Sequence, residues 1–525
     1  LLLLLAGISC LTMPAAAAER REDILVGRIA HVEGQLFRFI EEEKDWVLTS
    51  QDAPFGLEDA LYSGEASKAE FILPNLTWVR IGENTQLQMI GLNDDATTVD
   101  VAAGSARLYN KSRDGVVKAT TPFGYVVAEG DTVFDLYVGD ESLEVIAVSG
   151  TVDFVHKANG ARYAIKEGAA SIIADKQGTA QGNGSVEADW DDWNSERDAI
   201  WEQRQRSRGT SADLLPEPIR DEAYTLEENG RWERVYYEGS YRDMWRPTVV
   251  ASGWRPYTAG RWVVYYRDNC WIPDEPFGYV THHYGSWVYV EDGGAWYWMP
   301  PVVRRPPRSS AVYISFGWYP GRVGWFHSGE SIGWVPLAPD EVYYGYRPWG
   351  HRTVVVDRSV NVTVNINKYR YLDEAVVIQR DHFYRGERYS PVIQPQFDRR
   401  MIAKSFKPAA VISAAVIPQL HTDPRRFALK DDGPHRKPHA SVVERIDVNQ
   451  QLRRDAGRQD RKGIVHELQR AAGMAPGALP QADIRQRTLQ RYAAFGADRG
   501  VGNTVLFEHG MHVFNRAQGN AGSLR

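Results

Sequence analysis

Twelve of the 17 tryptophans in this 525-residue chain lie between Trp232 and Trp349, separated by Gly, Tyr, Pro and short polar turns. So dense an aromatic tract has two outlets. Either the rings supply a core that scarce aliphatic residues cannot build, or they stand at the surface as a stacking platform. The tract is also self-similar, with GRW units beginning 30 residues apart at Gly230 and Gly260, as small stacked supersecondary units require. The clearest unit is a hairpin of Ser286–Val290 and Ala295–Met299 joined by Glu291-Asp292-Gly293-Gly294. Alternation puts Trp287 and Tyr289 on one face of its first strand and Trp296 and Trp298 on one face of its second. If those faces coincide, four rings cluster, each cross-strand pair contributing roughly 0.2–1 kcal/mol.

Residues 24–175 carry short β-rich runs between Gly and Asp turns, and no helical period interrupts them. In the run Val133–Val138 both faces are largely apolar. That pattern belongs to strands packed on both sides, in a sandwich or a coiled stack of short strands. The chain is therefore expected to be mainly β.

The segments GRIAHVEGQL, LYSGEASKAEFILPN with VRIGENTQL, TPFGYVVAEGDTVFDLYV (Thr121–Val138) and VIAVSGTVDF (Val145–Phe154) resemble the FecR domain, a periplasmic β domain of iron-uptake signalling. The later segments GWRPYTAGRWVVYY, DEPFGYVTHHYGSWVY and GWVPLAPDE resemble a Tyr/Trp-rich repeat domain of unknown function that often follows it. Here a basic, Pro-rich stretch, Val302–Ser310, interrupts the aromatic run. The resemblance specifies fold more than activity. Signalling members place a sigma-regulating segment and a membrane helix before the FecR domain. Only a signal-peptide-like segment precedes Gly27, so direct contact with a sigma factor is not expected.

That segment, LLLLLAGISCLTMPAAAAER, has the apolar run and small-residue site of a secretory signal peptide, residues 1–18. It implies a periplasmic or secreted protein whose mature form starts near Glu19. Cys10 follows Gly7-Ile8-Ser9, a poor lipoprotein box, and Cys270 alone would survive cleavage, so no intrachain disulfide is expected. No later stretch is long and apolar enough for a transmembrane helix.

Residues 176–230 are polar and suggest a linker with one short helix, its Trp190-Trp193-Ile200-Trp201 stripe docked on a neighbouring domain. Residues 231–385 form the Trp/Tyr-rich β-repeat domain, closed by a half-buried strand at Val360, Val362, Val364 and Ile366. Residues 386–525 look like a basic, low-order tail with possible short helices in residues 442–473 and 481–495. Charge follows the same division: residues 351–525 carry net +12 and residues 1–350 net −19, within a total of −7. A basic tail beside an acidic globule is either simply solvated, or docks on an anionic envelope polymer or on the protein's own acidic half.

Chemistry is sparse. His282-His283, adjacent in an expected strand, would point to opposite faces and could not chelate one ion as a pair. Asp274-Glu275, Glu291-Asp292 and Asp340-Glu341 offer carboxylates near rings, the ingredients of a glycosidase, but they sit in turns where acids are ordinary. No nucleophile elbow, zinc-protease, phosphate-loop or dinucleotide motif is present. The expectation is a non-enzymatic binding or scaffolding protein with no catalytic residue, metal or cofactor and no nucleic-acid partner. Core packing accounts for most of the rings. Any that face a ligand, an envelope polysaccharide or the extended peptide of an envelope protein, are sought at Trp254, Tyr257, Trp262, Trp287, Trp296, Trp298 and Trp334. The alternative is periplasmic protein–protein assembly or a FecR-type signalling partnership.

Overall fold

The strand Ala96–Asn110 decides the architecture of the N-terminal half. In the computed structural model, which describes residues 24–41, 44–301, 317–356, 364–385, 387–413, 437–456 and 459–474, this strand belongs to two sheets. Its first half pairs with Gln86–Leu92 and, in parallel, with Val116–Thr120. Its second half pairs with Thr77–Ile81 and Thr132–Val138. It changes sheet at Gly104, whose φ of 90° suits glycine, and a Cβ there would lie 2.5 Å from the Cα of Thr85. The sheets face each other across a core that includes Ile29, Phe71, Val79, Leu108, Phe134 and Leu136 from one and Leu61, Leu87, Val101, Val117, Val126 and Phe154 from the other. This is the expected sandwich. Strands form 42% of the structure and helices 21%, so the chain is mainly β.

Outward-facing residues explain why both faces read as apolar or buried. On the first sheet Glu70 stands opposite Arg80, Arg80 opposite Arg107, and Arg107 opposite Asp135, a charged row with little or no exposure. Charges removed from water need partners. The helix Ala188–Arg206 supplies them. Glu70 accepts from Arg197 at 2.9 Å and from Trp201 Nε1 at 2.7 Å; Arg80 reaches Asp198 at 2.7 Å; Arg107 reaches Asp191 at 2.8 Å. Trp190, Trp193 and Trp201 are buried beneath the helix, whereas Ile200 is exposed. Residues 176–230 thus hold the strand Thr179–Gln181, this docked helix and the helix Ala223–Asn229, more structure than a linker with one short helix.

The second sheet is covered from far along the chain. Helices Ala440–Ala456 and Arg461–Arg470 lie on it, and Ala472–Met474 adds a parallel strand to the edge Ala161–Lys166. The C-terminal part is therefore partly helical, and both helices lie where the sequence suggested them. A further helix suggested near residue 485 lies outside the described residues.

The aromatic half is built from hairpins that repeat one device. Trp232 opposes Trp245, Trp262 opposes Trp271, Trp287 opposes Trp298, and Trp325 opposes Trp334. In the first three a glycine two residues before the first Trp lies against the ring of the second. A Cβ on Gly230 would sit 2.3 Å from Trp245, one on Gly260 2.7 Å from Trp271, and one on Gly285 3.0 Å from Trp298. The G-x-W spacing thus lets an indole cross the neighbouring strand. The hairpin of Ser286–Val290 and Ala295–Met299 forms as expected, with Trp287 opposite Trp298 and Tyr289 opposite Trp296, so the four rings share a face. The expected strand through Val360–Ile366 is not borne out where it is described: Ile366 starts a 3-10 turn capped by Asn365, and Val360 and Val362 lie outside the described residues.

Two substitutions test these constraints. Arg80→Leu leaves Glu70 with Arg197 as its remaining cation and takes the Arg80 partner from Asp198, and should lower stability by about 3 kcal/mol. Gly230→Ala, at an extended φ any residue adopts, should cost about 1–3 kcal/mol through the clash with the Trp245 ring and the Arg246 carbonyl. Both are read from denaturant unfolding midpoints.

Candidate functional site

Of the seven rings expected to face a ligand, Tyr257, Trp262, Trp287, Trp296, Trp298 and Trp334 are buried and Trp254 is half-buried. The polar atoms of four of them are occupied from within, whereas Nε1 of Trp262, Trp287 and Trp296 is buried with no hydrogen-bond partner among the described residues. Trp334 Nε1 donates to the carbonyl of Tyr257, Trp298 Nε1 to that of Tyr284, and Trp254 Nε1 to Glu275 at 2.9 Å. The Tyr257 hydroxyl donates to the carbonyl of His282 and accepts from the Arg322 amide. Trp262 lies 4.9 Å from Trp271, 4.8 Å from Trp325, 5.8 Å from Trp334 and 5.9 Å from Tyr257, centroid to centroid. These rings form the core, not a stacking platform, because the hairpins turn their tryptophan faces toward one another.

His282-His283 need a correction. They end a short helix, Gly278–His283, rather than lying in a strand, and both are buried. His282 Nδ1 lies 2.9 Å from the carbonyl of Gly278 and its Nε2 accepts the Tyr257 amide, an assignment that makes Nδ1 the protonated nitrogen. His283 Nδ1 lies 2.7 Å from the carbonyl of Tyr319. Burial pushes His282 down to about 3 and His283 to about 4, so both are neutral. Among the described residues no group of three or more His, Cys, Asp or Glu side chains could hold a metal ion.

The candidate carboxylates go separate ways. Asp274 faces Arg388 at 3.3 Å, Asp340 pairs with Arg370, and Glu341 accepts the amides of Ala338 and Arg370. Glu275 is buried beneath Trp254, and desolvation pushes it up to about 7. Two buried acids had no sequence signal. Asp268 follows a turn in which Tyr266 and Arg267 both have positive φ; it accepts from Trp349 Nε1 at 2.6 Å, and burial raises it to about 7. Asp59 joins the two halves, bound by Arg38, the Gly56 amide and the Tyr265 hydroxyl.

The same seam holds Arg28 between Asp52 and Glu222, 5.1 Å above the Tyr279 ring, while the Tyr279 hydroxyl donates to the carbonyl of Gly27. A shallow cleft opens beside them, lined also by Ile72, Pro218 and Tyr284. Its charges are already paired. Elsewhere, cross-strand partners Tyr236 and Tyr241 are 61% and 65% exposed near the tip of the hairpin Gly230–Tyr237 and Ser240–Pro247, with their rings 5.2 Å apart and tilted by 64°. Arg234 lies 5.9 Å from the Tyr241 ring, and its cross-strand partner Asp243 is also exposed. This is the clearest exposed aromatic feature of the structure. Only strand alternation hinted at it.

Residues 59–153 match the FecR protein family, and residues 223–341 match a family of unknown function, DUF6600. The chain carries a FecR domain followed by a DUF6600 domain. No curated protein matches it. Two crystal structures, at 1.65 and 2.50 Å resolution, of a candidate anti-sigma factor from Parabacteroides distasonis share 15% identity with it at a TM-score of 0.21. The match covers 24% of this chain and 60% of theirs, so the chain spans less than two thirds of those proteins. At that score the likeness bears on neither fold nor function. The FecR domain fits a signalling or assembly role at the envelope. Among the described residues no helix is long and apolar enough to cross a membrane.

The buried acids of the DUF6600 domain make stability depend on pH. Glu275 has a folded pKa above its ordinary value, so its contribution is full below about pH 4.5 and is lost as pH rises toward 7. The buried histidines, depressed in the fold, contribute fully above about pH 6.5 and lose that contribution as pH falls toward 3–4. Glu275→Gln, which mimics the protonated acid, should match the wild type in thermal melting at pH 4. At pH 8 it should be more stable than the wild type by up to about 3 kcal/mol, and so melt at a higher temperature. Equal melting at both pH values would contradict the assigned environment.

Proposed function

We propose that the protein is an exported, non-enzymatic scaffold of the bacterial cell envelope, periplasmic or secreted, that works by binding other envelope proteins. One observation carries the reading: the rings that could have formed a stacking platform are spent on cohesion. Among the described residues the large aromatic side chains left exposed are a tyrosine pair, flanked by an arginine and an aspartate. A sugar face wants a flat, accessible ring. Two rings inclined by 64° suit the irregular surface of a protein better, and tyrosine with arginine is the composition of protein interfaces. The FecR domain adds the envelope context, and the apolar leader supports export.

A photo-crosslinking residue at Tyr241 in cells should capture a discrete envelope protein. Tyr236→Ser with Arg234→Ser should abolish that capture and leave the melting temperature within about 2 °C, since surface changes cost little. Tryptophan fluorescence that shifts on adding wall polysaccharide, with no protein crosslink, would reverse the assignment in favour of glycan binding.

A further inference from the structure

Each sheet of the FecR sandwich has an outer face that must be covered, and the two covers differ. The first is Ala188–Arg206, which follows its own sheet in sequence and presses three tryptophans and a charged row into full burial. The second comes from beyond residue 436, 95 residues after the DUF6600 match ends at residue 341.

Its contacts are predominantly polar. Gln86 Nε2 donates to the carbonyl of Val442 at 2.7 Å, Asn449 Nδ2 donates to Gln88 Oε1 at 2.8 Å, and Arg445 grips Asp100 through two nitrogens at 2.5 and 2.8 Å. Lys118 meets Glu467 at 2.8 Å, Arg461 meets Glu129 at 3.1 Å, and Lys44 meets Asp447 at 2.8 Å. The apolar part is thin. Val442 touches Ala102 and Ala103, Ile446 packs near Phe37, Trp46 and Tyr62, and Ile464 and Leu468 sit on Ala96, Val116, Val127 and Val155. Val448, on the same helix, is 63% exposed.

We propose that this face, Gln86, Gln88 and Asp100 together with the open edge of Ala161–Lys166, is a helix-docking site, and that Ala440–Met474 of the same chain occupies it as a displaceable latch. The anchors are Val442, Arg445, Ile446 and Asn449, at i, i+3, i+4 and i+7, the pattern by which an amphipathic helix enters a groove. The polar part of that surface, its amides with Asp100 and Lys118, is tolerable in water once uncovered. Lifting the first cover would instead bare Trp78, Tyr109 and Tyr137 together with that helix's own three tryptophans. A segment with few buried apolar contacts opens at lower free energy than the core beneath it. The partner that displaces the latch carries an apolar–cation–apolar–amide helix of the same spacing, and its identity as an envelope protein rests on the assembly reading above. The docking itself does not.

The test uses the full chain with Val442→Asp and Arg445→Glu, changes on the latch that leave every FecR side chain intact, and a labelled peptide of residues 437–474 as probe. The peptide should bind the variant at least about tenfold tighter than the wild type, whose face is filled. The same peptide carrying Arg445→Glu should not bind. Equal binding to both proteins, or none to either, would overturn the proposal whatever Tyr241 crosslinks to. A second measurement needs no variant. In wild-type hydrogen exchange, helices Ala440–Ala456 and Arg461–Arg470 should open as one unit at least about tenfold faster than Ala188–Arg206; equal protection of the two covers would refute a latch.

Discussion

The contact on which the aromatic half depends is the meeting of Trp262 with Trp271, Trp325 and Trp334. Trp262 and Trp271 belong to one hairpin and Trp325 and Trp334 to another, so this one cluster joins two separate sheets. Cys270, buried at the same place, is a free thiol, so no covalent link assists. A single large ring buries more area than any aliphatic residue, which lets hairpins of five or six residues a strand reach a common core. The arrangement is tightly fitted: a Cβ on Gly321 would come within 2.5 Å of the Trp262 ring. Rings packed this closely have no face left to offer.

The FecR sandwich solves a different problem. Its two sheets bury their inner faces against each other, but the outer faces carry charges that pairing alone does not remove from water. The row Glu70, Arg80, Arg107 and Asp135 is held in burial only because a helix brings Asp191, Arg197 and Asp198 to complete it. Buried ion pairs add little net stability, yet losing one member leaves a costly orphan. The row therefore fixes where the helix sits more than how strongly it holds. The seam to the DUF6600 domain follows the same logic, with Arg28 and Arg38 each placed between carboxylates and tyrosine rings.

What could be read from the sequence was whatever depended on local periodicity. The hairpin at 286–299 was legible because alternation and a Gly/Asp turn agree. The G-x-W units at Gly230 and Gly260 were visible, but what they mean, a glycine set against the tryptophan of the next strand, needs the register. The histidine pair was misplaced because six residues between strands carry no helical period; their helix exists through packing against Tyr257 and Tyr319. Asp268 and the Asp59 contact across the seam were invisible, since the partners of Asp268 lie 78 or more residues away and Tyr265 lies 206 residues from Asp59. Exposure of the rings was illegible for the same reason: a strand shows which residues share a face, never what covers it.

That limit also bears on function. The tail's net positive charge suggested long-range attraction to the acidic half, and Lys437–Asp45, Arg445–Asp100 and Arg461–Glu129 run in that sense. Lys44–Asp447 and Lys118–Glu467 run in the opposite sense, with the cation on the FecR domain. A purely electrostatic docking would show one sign only. Mixed polarity with matched amides is instead the mark of register-specific recognition, in which charge fixes orientation and hydrogen-bond complementarity rejects wrong partners. A chain that spends its aromatic rings on cohesion is left with such polar, geometrically exacting surfaces for choosing what it binds.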